Sequence, residues 1–388
     1  MVLHERRAYL QAIRKRYRQS KREDKGRILD EFCEVCGYNR KYAIRLLTRE
    51  ERRRRERPGR RPLYRGKEFL MVLEELWMAT DQLCSKRLKQ AIASWLPFWE
   101  QEYGQVQPQT RKELLQVSPA TIDRLLKPRR VRMQRGLGGT TPGRLLKNQI
   151  PIKVSHWDVS KPGYVEADTV AHCGNSLEGS FVWSLVFTDI FSGWCECRAV
   201  WNKTGIGVRD QLKDIEPRLP FSLRGFHSDN GSEFLNNELL RYFRRRKQPV
   251  QFTRGRPYRK NDNPHVEQKN WTHARQLFGY DRIEQPHLLE PMNDLYANEW
   301  SLLQNHFIPS TKLISKTRIN SRYHKHYDKP KTPYQRLLDS PDTPVPSKKR
   351  PRALHKELNP LKLKKLAQQK LDAIFKHVSV TTNVRQRL

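Results

Sequence analysis

Two short blocks, Phe226–Phe234 and Pro257–Asn270, restrict this chain more than its composition does. Each sets a carboxylate at the edge of a regular element. In the first, Leu223 to His227 reads as a short strand, and Asp229-Asn230-Gly231 is a turn signal directly behind it. In the second, Asn263 can cap a helix and Pro264 can take its first position, which puts Glu267 in the first turn. The macrodipole of a helix favours a carboxylate there. Upstream, Tyr164, Glu166, Asp168 and Val170 alternate with Val165, Ala167, Thr169 and Ala171, the period of a strand. Sixty residues separate Asp168 from Asp229, and 37 separate Asp229 from Glu267.

Carboxylates at strand and helix ends suit phosphodiester chemistry. The phosphodiester is an anionic, unreactive electrophile, so an enzyme must sharpen a nucleophile and neutralise the pentacoordinate transition state. Two Mg²⁺ ions roughly 3.5–4 Å apart do both. Mg²⁺ is hard and takes oxygen ligands, so Asp and Glu are the fitting donors and Cys and His are not. Asp168, Asp229 and Glu267 are the expected catalytic, metal-binding set, with Mn²⁺ expected to substitute. Glu166, Asp158, Asp189 and Asp262 compete for the same role, and geometry must decide among them. His227 and His265 flank two of the acids and read as packing or hydrogen-bonding residues.

These residues resemble the core of the retroviral-integrase-like DDE transposases of bacterial insertion sequences. The matching parts are Asp168 in a strand, the His227-Ser-Asp-Asn-Gly-Ser-Glu-Phe block and the Asn261-Asp-Asn-Pro-His-Val-Glu-Gln-Lys-Asn block. Thr188-Asp-Ile-Phe-Ser-Gly193 also resembles the turn between that family's second and third strands. The resemblance covers roughly residues 155–285, with a weaker echo to about 340. It implies an α/β RNase H-like core, a mixed five-stranded sheet with flanking helices. It further implies double-stranded DNA as partner, both transposon ends and target, and a homo-oligomer that holds two ends together. One departure stands out. Retroviral integrases carry lysines four and seven residues after the glutamate, where this chain has Trp271 and Ala274. Lys269 and Arg275 are the nearby cations and take the expected DNA-contact role.

Charge points to the same partner. The formal net charge is +35 and the pI about 10.2, which calls for a polyanion. It is unevenly spread: +20 over residues 1–157, +3 over 158–285 and +12 over 286–388. A nearly balanced core between cationic flanks suits a catalytic module held by DNA-gripping arms. A ribosomal or packaging protein would share the charge but needs no acidic triad. The six cysteines and the lack of a signal-like apolar start fit free thiols in a reducing compartment. Cys33 and Cys36 lack the histidine pair that a zinc site would need, and read as packing residues of one helix. No apolar run is long enough to span a bilayer. A cytoplasmic, nucleoid-associated protein without a membrane partner is expected.

Along the chain, residues 1–50 are expected to form a helix-turn-helix domain. Ile28, Leu29, Phe32, Val35 and Cys36 make one apolar face and Ala43, Leu46 and Leu47 another, leaving Arg40, Lys41 and Arg45 for a major groove. A plain helical hairpin gives the same pattern. Residues 51–66 resemble an AT-hook, with Arg60 and Arg61 suited to a narrow minor groove; a solvated linker reads alike. Residues 67–130 are expected as a second helix-turn-helix, with Arg124 outward on its last helix, and 131–154 as a linker. Within the core domain at 155–285, the loop Arg254–Asp262 is expected to flap over the scissile phosphate, with Arg256, Tyr258 and Lys260 as contacts. Residues 286–345 are expected as a small basic DNA-binding subdomain and 346–388 as a basic helical tail.

The expected function is a transposase that binds the terminal repeats of its element, cleaves a strand with Mg²⁺ and transfers the 3′-hydroxyl into target DNA. The alternatives are an RNase H-like nuclease without strand transfer and a DNA-binding regulator with an inactive core.

Overall fold

The computed structural model describes residues 3–48, 64, 66–133, 161–228, 231, 233–234, 236–254, 264–319 and 322–378. The chain divides into two compact units, Met1–Leu63 and Tyr64–Leu388.

The first unit holds helices α1 (Leu3–Gln19), α2 (Arg22–Cys36) and α3 (Arg40–Thr48). Their apolar faces meet in one cluster of Ile13, Tyr17, Ile28, Leu29, Phe32, Cys36, Ala43 and Leu47. Gly37 ends α2 in the left-handed region at φ 67°, where a side chain would be strained, and donates its N–H to Cys33 O. One expected member of the α2 face is not on it: Val35 is 46% exposed, because position 36 and not 35 continues the buried stripe. Cys36 packs inside and Cys33 lies half-buried beside it on the same helix.

The second unit is built on a five-stranded sheet of order β3-β2-β1-β4-β5. Its strands are β1 (Tyr164–Ala171), β2 (Val182–Asp189), β3 (Cys195–Trp201), β4 (Gly225–Ser228) and β5 (Gln251–Arg254). The first three form an antiparallel meander, and β4 and β5 run parallel to β1. The long strands are largely buried on both faces, because helices cover the sheet on either side. One side carries α8 (Gly205–Ile215) and α9 (Asn237–Arg244), packed over Val165, Phe187 and Phe226 of the sheet. The other carries α10 (Pro264–Lys269), α11 (Leu289–Leu295) and α12 (Ser301–Phe307). Thr204 caps α8 and Asn236 caps α9.

The sequence divides this unit more finely than the fold does. Helices α4 (Lys67–Ala79), α5 (Ser85–Tyr103), α6 (Pro108–Gln116) and α7 (Pro119–Met133) share one buried cluster with the sheet. Trp95 Nε1 donates to Phe307 O at 3.1 Å and packs edge-on against the Phe307 ring. The helix from Pro360 to His377 joins the same cluster through Leu363, Ala367 and Ile374. Its Lys370 pairs with Asp294 and, at 2.7 Å, with Glu299. Residues 67–130 and the helical part of the tail are therefore walls of the core. Helix α7 also runs past the expected start of the linker, carrying Pro128 within it.

Candidate active site

Residues of β1 and of α10 meet, and the meeting is built from polar contacts. Glu166 and Asp168 lie on one side of β1, two residues apart. Glu166 is fully buried, and its Oε2 accepts the backbone N–H groups of His265 at 2.8 Å and Val266 at 3.0 Å. It thereby satisfies the open donors at the start of α10. Burial pushes the Glu166 carboxyl up to about 7. The two N–H donors oppose that shift, while the negative charges of Glu267 and Asp168 add to it. Asp168 and Glu267 each thus disfavour the charged form of Glu166.

Asp168 is half-buried. Its Oδ1 accepts the N–H of Thr169 at 2.8 Å and its Oδ2 accepts Asn270 Nδ2 at 2.6 Å. Asn270 follows Glu267 by three residues, so the two lie on neighbouring positions of one helical face. It opens the π-helical stretch Asn270–Arg275 that extends α10, and such single-turn bulges are frequent at functional sites. Glu267 itself is exposed in the first turn of α10.

Asp229 lies outside the described residues, as do Asp158, Asp262, Arg60, Arg61, Arg256, Tyr258 and Lys260. The segments on either side of Asp229 are anchored. Ser228 ends β4 opposite Ala167, the residue before Asp168. Glu233, 1% exposed, accepts Thr169 Oγ1 at 3.1 Å and the Lys203 ammonium at 2.8 Å. Both anchors are to β1 at residues adjoining Asp168. Among the described residues, no three of His, Cys, Asp and Glu stand together as a metal site.

Two of the competing acids, Asp189 and Glu166, have other partners. Asp189 is fully buried in the β2–β3 turn, accepting Gly163 N at 2.8 Å, Ser192 N at 2.7 Å and Ser192 Oγ at 2.6 Å. Burial raises its carboxyl to about 6 despite those donors. Glu166 holds the start of α10. His227 Nδ1 lies 2.8 Å from Thr253 Oγ1, tying β4 to β5. His265 is held uncharged by burial, down to about 4.

The expected DNA contacts sit in varied surroundings. Arg40, Lys41 and Arg45 are exposed on α3; Arg40 pairs with Asp30, and Arg45 lies over the Tyr42 ring at 5.2 Å. Arg124 is exposed on α7 and donates to Thr121 Oγ1 at 3.0 Å. Lys269 is half-buried, and burial lowers its ammonium pKa beside Cys195 and Cys197. Arg275 donates to Gly279 O at 3.3 Å and lies over the Tyr280 ring at 4.7 Å. Of the two positions where retroviral integrases carry lysine, Trp271 is 55% exposed and Ala274 is buried.

Three residues escaped the sequence reading: Asn270, Glu233 and Lys203. Asn270 and Glu233 stood inside the quoted blocks, so the signal for them was position. Lys203 had none.

The integrase core domain model matches residues 158–260, from just before β1 past the end of β5. The uncharacterized protein y4rM of Sinorhizobium fredii (strain NBRC 101917 / NGR234) is 42% identical over 335 residues, covering 84% of this chain and 93% of that protein. The chain belongs to the same family as y4rM. Its residues 158–260 form a core of the integrase-core type. Among solved structures, the catalytic core domain of BIV integrase is similar at 18% identity and a TM-score of 0.28, over 46% of this chain and 95% of that one. In this integrase-core protein, the sheet of order 3-2-1-4-5 carries Asp168 on its central strand. Among the described residues, no helix is long and apolar enough to cross a membrane.

Proposed function

We propose that this protein is a DNA transposase that cleaves strand ends and joins the resulting 3′-hydroxyl to target DNA. Asp168, Asp229 and Glu267 are its catalytic carboxylates. The observation that carries the reading is the Asn270–Asp168 hydrogen bond. It brings the helix of Glu267 onto the strand of Asp168, as a shared site requires. The donor set fits a hard divalent cation: oxygen ligands only, with a half-buried Asp168 and an exposed Glu267 whose charges already crowd Glu166. When bound, two Mg²⁺ ions supply charge neutralisation at the phosphate and a more nucleophilic oxygen.

The chain's own residues do the positioning. Glu166 fixes where α10 begins, and so the height of Glu267 above β1. Asn270 fixes the rotamer of Asp168. Glu233 and Lys203 fix the segment that returns from Asp229. Both chemical steps, hydrolysis and strand joining, are in-line displacements at phosphorus needing no covalent protein intermediate. DNA held by cationic flanks and a homo-oligomer engaging two ends complete the reading, with Arg40, Lys41, Arg45, Arg124, Lys269 and Arg275 as candidate phosphate contacts.

The test uses a duplex oligonucleotide carrying the element end, labelled at the strand whose 3′-hydroxyl is exposed, with Mg²⁺ or Mn²⁺. Asp168→Asn, Asp229→Asn and Glu267→Gln should each retain duplex binding and abolish both shortened and lengthened products. Shortened products alone from the native chain would make it a nuclease. A variant that joins strands at near-native rate would remove its residue from the catalytic set.

A further inference from the structure

Between α12 and helix α13 (Pro333–Asp339), the chain leaves the core as an antiparallel ribbon of β6 (Leu313–Ile319) and β7 (Arg322–Tyr327). Residues 313–319 and 323–327 of the two strands are exposed or half-buried. The base of the ribbon is fixed. Lys312 N donates to Asp328 Oδ1 at 2.7 Å, Asp328 N donates to Lys312 O at 3.0 Å, and Arg336 of α13 bonds both Asp328 and Ser310 O. A two-stranded ribbon alone in water is marginally stable. This one also sets Lys316 directly opposite Lys325, an arrangement that destabilises a strand pair. From Ser310 to Tyr327 the chain has five Lys/Arg and no Asp or Glu.

The register puts Lys316, Arg318, Tyr323 and Lys325 on one face, with the Lys316 ammonium 4.2 Å from the centre of the Tyr323 ring. Such a face is complementary to a polyanion. A second copy of the ribbon would bring the same cations against themselves, which is how natural sheets keep edges apart.

We propose that the β6–β7 ribbon is a duplex-DNA-binding element that enters the major groove, with Lys316, Arg318 and Lys325 on phosphates. The B-form major groove, about 12 Å wide, admits a two-stranded ribbon. The deep, narrow major groove of A-form RNA does not. The proposal deepens the transposase reading and rests on it for the choice of DNA over other polyanions.

The test compares the native full-length chain with K316A/R318A/K325A. Binding to a 30-base-pair DNA duplex and to the matching RNA duplex is measured by fluorescence anisotropy across a salt series, with thermal melting and sedimentation alongside. The variant should melt as the native chain does and bind DNA on the order of 10–100-fold more weakly. Its salt slope should fall by about 2 to 3, one phosphate per lost cation. Unchanged DNA affinity and slope overturn the proposal. So does RNA binding as tight as DNA binding with the same dependence on the three cations, or a change in oligomeric state without a change in DNA affinity. Strand cleavage separates the two readings. Weakened DNA binding in a chain that cleaves nothing supports the ribbon and sinks the transposase. Cleavage with ribbon-independent binding does the reverse.

Discussion

Asn270 Nδ2 lies 2.6 Å from Asp168 Oδ2, a contact made across 102 residues of sequence. It joins the helix that carries Glu267 to the middle of the sheet. Since Asn270 neither ionises nor binds a hard cation as an anion does, its value is in holding Asp168 at one rotamer. Removing such an outer partner typically costs 10–100-fold in metal affinity or activity. Asn270→Ala should therefore lower metal-dependent strand cleavage by about that factor and leave the melting temperature nearly unchanged. Cleavage at the native rate would show that Asp168 needs no such support.

Glu166 affects the site by a different route. Its carboxylate is the acceptor for two N–H groups at the start of α10, and it is wholly buried. Glu166→Ala leaves both donors without that acceptor, at a cost of about 1–3 kcal/mol for a buried polar group. Glu166→Gln keeps an acceptor oxygen and should cost less. Denaturant unfolding of the two variants checks the order; equal losses would mean that the acceptor oxygen kept by glutamine contributes nothing.

The Lys203–Glu233 pair should be asymmetric. Glu233 is 1% exposed, whereas the Lys203 side chain is 29% exposed. Lys203→Ala strands a buried carboxylate, and even with partial solvent screening this should destabilise by about 1–3 kcal/mol. The double variant Lys203→Ala/Glu233→Gln removes the unpaired charge and should recover part of the loss. A thermodynamic cycle on the four proteins measures this, and strict additivity would show no coupling.

Much of the core was legible because its signals are local. The alternation at 164–171, the turn at Ser192-Gly193 and the Pro264 helix start each appear where local pattern places them. What escaped was set by tertiary contact or hidden by polar composition. Helix α8 has Gly at two of its first three positions, a poor helix signal, and is held by Val208, Leu212 and Ile215 against the sheet. The β6–β7 ribbon has no buried face, so no hydrophobic period marked it. The helical character of the tail was visible, but that Lys370 would reach Asp294 and Glu299 was not. Glu166 was legible only as a rival ligand, since the backbone donors it serves lie about a hundred residues away.

Two buried histidines should weaken the fold in acid. His172 is fully buried, with Nε2 2.7 Å from Ser184 Oγ, which in turn lies 2.7 Å from Tyr296 Oη. His306 is stacked on Tyr334 and His355, with ring centres 4.9 and 5.3 Å away. Burial holds both uncharged, down to about 3, with the charges of Arg275 and His355 respectively adding to the effect. In the unfolded chain both return to the ordinary value near 6.5. Between about pH 6.5 and 3 the unfolded state therefore binds more protons at these two sites, and their contribution to stability falls as pH falls through that window. Above pH 6.5 that contribution is fully present, while the raised carboxyls of Glu166 and Asp189 act in the opposite sense. His172→Gln removes one titration and keeps a hydrogen-bonding side chain. It should cost stability at pH 7 and lose less than the native chain on acidification, closing the gap by about 1–3 kcal/mol at pH 4. Unfolding free energies at pH 7, 5.5 and 4 decide the matter, and parallel curves for the two proteins would show that His172 is not held neutral.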